Sequence, residues 1–100
     1  MQYLVTTSDK GGIDWKKKGL TLKKEAKYIW ELASKGIVRN IWFTEKTKDA
    51  ILIFEAESER AVREVMDSAP LVAEDLLVYE VVGLRPYDGF ERLFDGSERC

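Results

Sequence analysis

The chain has 100 residues, 45% of them apolar and 34% charged, with 16 Lys/Arg against 18 Asp/Glu, one cysteine and no histidine. That length and balance describe one soluble globular domain, residues 1–100. The missing histidine excludes Ser–His and Cys–His nucleophile pairs, and with a single cysteine it argues against a structural zinc site.

The lone Cys100 has no partner for an internal disulfide, which fits a reducing compartment. No basic segment followed by an apolar run opens the chain, and no apolar run approaches the roughly 18 residues of a membrane span. A cytoplasmic protein without membrane contact is expected.

In chain order, residues 2–7 alternate weakly and predict a strand. Residues 8–19 follow as a glycine-rich loop holding Lys16, Lys17, Lys18 and one conspicuous apolar residue, Trp15. That tryptophan fits either a lid over a pocket or a plug anchoring the loop. Residues 21–35 predict the strongest helix, because Leu22, Ala26, Ile29 and Ala33 fall on one stripe. Thr21 is the candidate cap, and Gly36 the left-handed stop.

Residues 37–44 predict a second strand, with Ile37, Arg39, Ile41 and Phe43 on one face and Val38, Asn40, Trp42 and Thr44 on the other. A polar hairpin at residues 45–49 leads into Ala50-Ile51-Leu52-Ile53-Phe54, a third strand apolar on both faces. Ser58 caps a second helix, with Glu59 in its first turn favouring the positive end of the dipole. Ala61, Val62, Val65, Met66 and Ala69 form its apolar side, and Pro70 stops it. A last strand, residues 76–83, is apolar except for Glu80. The tail from Leu84 onward holds Tyr87, Phe90 and Phe94, more aromatic character than a free tail carries. Residues 85–100 therefore read as an extension packed in part on a partner subunit.

Strand, helix, strand, strand, helix, strand is the split β-α-β repeat of the ferredoxin-like α+β fold. Right-handed crossovers give a four-stranded antiparallel sheet of order 4-1-3-2, with both helices on one face. A third strand apolar on both sides must be covered twice, so a second copy of the chain is expected on the open face. Residues 1–48 carry 11 Lys/Arg against 5 Asp/Glu, a balance of +6, and residues 49–100 carry 5 against 13, a balance of −8. Ion pairing of Lys23, Lys24 and Lys27 with Glu59, Glu64 or Asp67 would join the halves; a basic patch for an anionic ligand is the other reading.

RNA-binding modules share this topology but need aromatics and glycine on strand three. Here that strand is aliphatic, and the isoelectric point is near 5.2, so no nucleic-acid partner is expected. No glycine-rich phosphate motif follows a strand, so neither a nucleotide cofactor nor a metal is implied.

Gly36-Ile37-Val38-Arg39-Asn40-Ile41-Trp42 resembles the Gly-x-x-Arg-x-x-Trp segment of muconolactone isomerases. Phe54-Glu55-Ala56-Glu57-Ser58, Pro70-Leu71 and Glu80-Val81-Val82-Gly83-Leu84 resemble, in order and spacing, later segments of the same family. The ending from Val82 to Phe94 is similar to YciI-like proteins, and both groups belong to the dimeric α+β barrels. The resemblance implies a homodimer or higher homo-oligomer packed through its sheets, with a small-molecule pocket nearby.

Isomerising an unsaturated lactone needs an acid/base group in a dry pocket and a partner for the developing oxyanion. Glu80, which interrupts an apolar strand, is the expected base. Arg39 is the expected anion holder, since a guanidinium grips a carboxylate bidentately. Alternation is compatible with Arg39, Glu55 and Glu80 sharing one face. Trp42, Trp15, Tyr3 and Tyr79 are the candidate substrate-binding residues. Arg39 and Glu80 also fit an ion pair with each other or with partner-chain residues at the subunit interface, and Trp42, Tyr3 and Tyr79 are residue types more often found in cores than on ligands. The expected function is a cofactor-free isomerase of a small anionic unsaturated or lactone compound. The alternatives are a non-catalytic oligomeric module that binds a small molecule, or a cofactor-independent monooxygenase of the same superfamily.

Overall fold

The computed structural model describes residues 1–94; Cys100 and the end of the expected C-terminal extension lie outside them. Strands β1 (Gln2–Asp9), β2 (Val38–Phe43), β3 (Ala50–Glu55) and β4 (Leu77–Leu84) form one antiparallel sheet of order β2-β3-β1-β4. That is the expected ferredoxin-like order, read from the opposite edge. Helices α1 (Gly19–Ser34), α2 (Glu59–Asp67) and the single turn α3 (Pro70–Ala73) complete the fold. Among the described residues no helix is long and apolar enough to cross a membrane.

The sheet has two unlike faces. Tyr3, Val5 and Thr7 of β1 and Leu52 and Phe54 of β3 are buried on the helix side, where Val62 and Met66 of α2 and Leu32 of α1 close the core. Phe54 and Val62 are fully enclosed. The alternate residues Leu4, Thr6, Ile51 and Ile53 point to the other face, beside Glu80 and Val82 of β4. Fully burying one such aliphatic side chain is worth roughly 1.5–3 kcal/mol, and on this face Leu4, Ile51 and Ile53 are only half-buried among the described residues.

A bulge sets the facing of β2. Val38 pairs with Phe54 and Asn40 with the next residue back, Ile53, so Arg39 is the extra residue. Strict alternation would put Val38 on the face of Trp42. The bulge instead joins buried Val38 to the side of Ile41 and Phe43, and leaves Asn40 and Trp42 on the open face.

Helix ends follow local chemistry, with one departure. Ser58 caps α2 as expected, its hydroxyl accepting from the Ala61 N–H at 3.1 Å. Gly36 at φ +77° takes the left-handed turn that closes α1. Thr21 does not cap α1. A 3-10 turn over Trp15–Lys18 runs into the helix, started by the Asp14 carboxylate accepting from the Lys16 N–H. The Thr21 hydroxyl, one turn further in, donates to Glu74 instead, at 2.9 Å.

The expected ion pairs between the two long helices are also absent among the described residues. Glu59 and Glu64 pair with Arg63 and Arg60 of their own helix at i,i+4, the shorter reach. What joins α1 to α2 is the Tyr28 hydroxyl donating to the Val65 carbonyl at 2.8 Å.

Candidate functional site

Of the stripe that predicts α1, Leu22, Ala26, Ile29 and Ala33, only Ile29 also packs against the core. All four line one wall of a cavity of about 890 Å³ between α1 and the sheet. The core contact of α1 comes from Leu32, with Tyr28 and Ile29 packed against it. Opposite the stripe stand Thr7 of β1, Ala50 and Leu52 of β3, and Ile41 and Phe43 of β2. Trp15, the first residue of the 3-10 turn, adds to the wall, and Trp30, 69% exposed, stands with Phe43, 70% exposed, among its aromatic lining.

Glu25 lies within this apolar stripe, three residues after Leu22 and one before Ala26. Its Oε1 accepts from the Leu71 N–H at 3.0 Å. Leu71 sits in the first turn of α3, just after Pro70, where a backbone donor has no partner inside the helix. One carboxylate oxygen is thereby fixed by backbone, and Glu25 is among the residues that line the cavity. Burial pushes the Glu25 carboxyl above its ordinary value of 4.5, and the Leu71 hydrogen bond offsets only part of that rise. Burial, and then the neighbouring Glu25 charge, push the Tyr28 phenol upward, which keeps it a donor to Val65.

Thr7 supplies a second polar group. It is 7% exposed, and its Oγ1 accepts from the Ala50 N–H at 3.0 Å. A hydroxyl that already accepts still has its hydrogen to donate. Thr7 and Glu25 thus offer an oxygen-bound hydrogen and a carboxylate to one apolar space.

The residues singled out from sequence fall in four different places. Trp15 lines the cavity. Tyr3 and Tyr79 project from the helix side of the sheet but outside the lining. Tyr3 is buried against the Met1 sulfur, and the Tyr79 hydroxyl donates to Asp67 at 2.6 Å beneath the Arg63 guanidinium. Trp42 and Glu80 lie on the open face at the two ends of one cross-sheet row, Trp42-Ile51-Thr6-Glu80. Glu80 borders a smaller hollow of about 280 Å³ with Thr6, Ser8 and Thr44.

Arg39, on the bulge, donates its Nε–H to the Gly36 carbonyl at 2.6 Å. Glu55 does share the open face with Glu80, and it pairs with the Met1 ammonium at 3.1 Å. Arg39 and Glu80 sit on opposite edge strands, three spacings or about 14 Å apart, so within one chain they do not meet. Among the described residues no cluster of three metal-ligating side chains occurs.

A two-layer α+β fold with a carboxylate-bearing cavity between its layers defines the structural class of the chain. Within that class, the chain belongs to the muconolactone delta-isomerase family, whose profile matches residues 1–88. Among solved structures it is similar to muconolactone isomerase, at a TM-score of 0.76 and 21% identity over 88% of this chain and 92% of that one. It is also similar to 5-chloro-2-hydroxyhydroquinone dehydrochlorinase from Burkholderia phenoliruptrix, solved with 2,5-dihydroxybenzoquinone. There the TM-score is 0.71 and the identity 18%, over 89% of this chain and 98% of that one. At such identities the likeness establishes the fold. No curated protein matches the sequence significantly.

Proposed function

We propose that the chain is a cofactor-free proton-transfer enzyme for unsaturated ring compounds, with Glu25 as the base. The observation that carries this reading is a half-buried carboxylate in the wall of an apolar cavity, its basicity raised by desolvation. Glu25 takes a proton from a carbon next to a carbonyl, and the electron pair moves onto the carbonyl oxygen as an enolate. The Thr7 hydroxyl is the donor available to that oxygen. Returning the proton to another carbon of the conjugated system completes an isomerisation. Expelling a leaving group with its electron pair completes an elimination, the kind of change the dehydrochlorinase is named for. Both outcomes need the same base and no metal. Glu80 and Arg39, on opposite edges and outside the cavity, are better suited to contacts with a second copy.

The working unit in this reading is a homo-oligomer in the cytoplasm. Trp42, Val78 and Val82 are about half exposed on the open face, which supports a contact with a second copy there. The aromatics Tyr87 and Phe90, stacked edge to face at 4.9 Å, stand out with Leu93 and Phe94 as further contacts for a partner.

The test is turnover of a panel of unsaturated lactones, muconolactone and its methyl ester included, followed by ultraviolet absorbance. Glu25→Gln should abolish turnover of any active member with the fold intact, whereas Glu80→Gln should keep most of it. Full activity in folded Glu25→Gln would remove Glu25 as the base.

A further inference from the structure

The cavity wall has a charge pattern that bears on what it can hold. Lys48 is its one cationic residue among those described, set against the carboxylates of Asp9, Glu25 and Asp49. None of Lys16, Lys17, Lys18, Lys23, Lys24 or Lys27 lines it, although all six belong to the 3-10 turn and helix beside it. Arg39 is turned to its own loop. Apart from Thr7 and Thr47, the remainder of the wall is apolar, with the indoles of Trp15 and Trp30, the ring of Phe43, and Leu22, Ile29 and Leu52. A ligand carboxylate placed here would give up its hydration and meet more negative than positive side chains. The volume of about 890 Å³ lies in the upper part of the range for small-molecule sites, roughly 300–1,000 Å³. A single five-membered lactone ring would leave much of it empty.

We propose that this cavity takes an uncharged, largely apolar unsaturated compound of two fused rings or more, in place of a carboxylated lactone. Flat apolar rings fit between the indoles and the aliphatic wall. A carbonyl or phenol oxygen of such a ring finds the Thr7 hydroxyl as donor, and an acidic ring C–H faces Glu25. The inference rests on the same cavity being the active site, but it concerns the charge and size of the ligand, and affinity can test it without any turnover.

The experiment is equilibrium dialysis of the full chain at pH 7 with 2-acetylnaphthalene and 2-naphthoate, near-isosteric ligands that differ in charge. The neutral ligand should bind at least tenfold more tightly. Ala26→Trp and Ala33→Trp place an indole in the open volume from the exposed side of α1. Whichever of them folds should lose at least tenfold of the 2-acetylnaphthalene affinity. Equal or tighter binding of 2-naphthoate would overturn the proposal. So would failure of 2-acetylnaphthalene to bind, or its undiminished binding to the blocked variants. Loss of discrimination would leave Glu25 as a possible base. Discrimination with no effect of Glu25→Gln on turnover would leave the ligand class standing and remove the base.

Discussion

The two faces of the sheet carry similar aliphatic side chains and do different things with them. On the helix side, Val5, Leu52 and Phe54 meet α2 and the C-terminal half of α1, and the layers then part to leave a cavity holding Glu25 and Thr7. On the open side, Leu4, Ile51 and Ile53 are only half-buried and Val82 is half exposed, with no helix of the described residues packed over them. Apolarity alone therefore does not locate a site. A polar group held by backbone inside an apolar wall marks a candidate site, and Glu25 is held that way by Leu71. Glu80 interrupts an apolar strand just as visibly, but it stands exposed on the uncovered face.

The largest effects should come from the helix side. Glu25→Gln should lower kcat by roughly 10²–10⁴-fold, the usual contribution of a general base, measured on the most active panel member. Phe54→Ala should cost about 3–5 kcal/mol in denaturant unfolding, because the side chain is fully enclosed and leaves a cavity. Thr7→Val should lower kcat by about 10²-fold, the low end for an oxyanion donor, and Thr7→Ser should restore most of it. Equal losses in the valine and serine variants would make Thr7 structural only.

On the open side, Val82→Arg should leave the domain folded and shift sedimentation towards the monomer. An unchanged oligomer would show that this face is not the interface. Ser58→Ala should cost about 1 kcal/mol through the lost α2 cap.

The smallest effect has a definite sign. Glu25 has its folded pKa raised above the unfolded value, so the folded state binds more protons between the two. Its contribution to stability therefore falls as pH rises from near 4.5 through the raised value. Glu25→Gln, which keeps an acceptor for Leu71, should raise the Tm relative to the parent at pH 7 and not at pH 4.

The sequence carries the fold well because periodicity and turn residues specify it locally. The stripe of α1, the cap at Ser58, the left-handed Gly36 and the both-sided apolar β3 each lead to the observed element, and the crossover rule orders the strands. Facing was harder to read. The bulge at Arg39 depends on pairing with β3, and no local pattern announces it. The site was legible only in part. Trp15 is visible as an apolar residue in a polar loop and does line the cavity. Glu25 had a signal, since Leu22, Glu25, Ala26 and Ile29 follow the i, i+3, i+4, i+7 spacing of one helix face, with a carboxylate where an apolar residue is due. Its surroundings, Leu71 and Thr7, come from distant parts of the chain and meet only in the fold.

The most direct test of a desolvated base at Glu25 is its carboxyl titration, followed by carbon-13 NMR of labelled protein and assigned with Glu25→Gln. A midpoint clearly above 4.5 is the predicted result. A midpoint at or below 4.5 would mean a solvated or hydrogen-bond-stabilised carboxylate, and would contradict Glu25 as the base of this cavity.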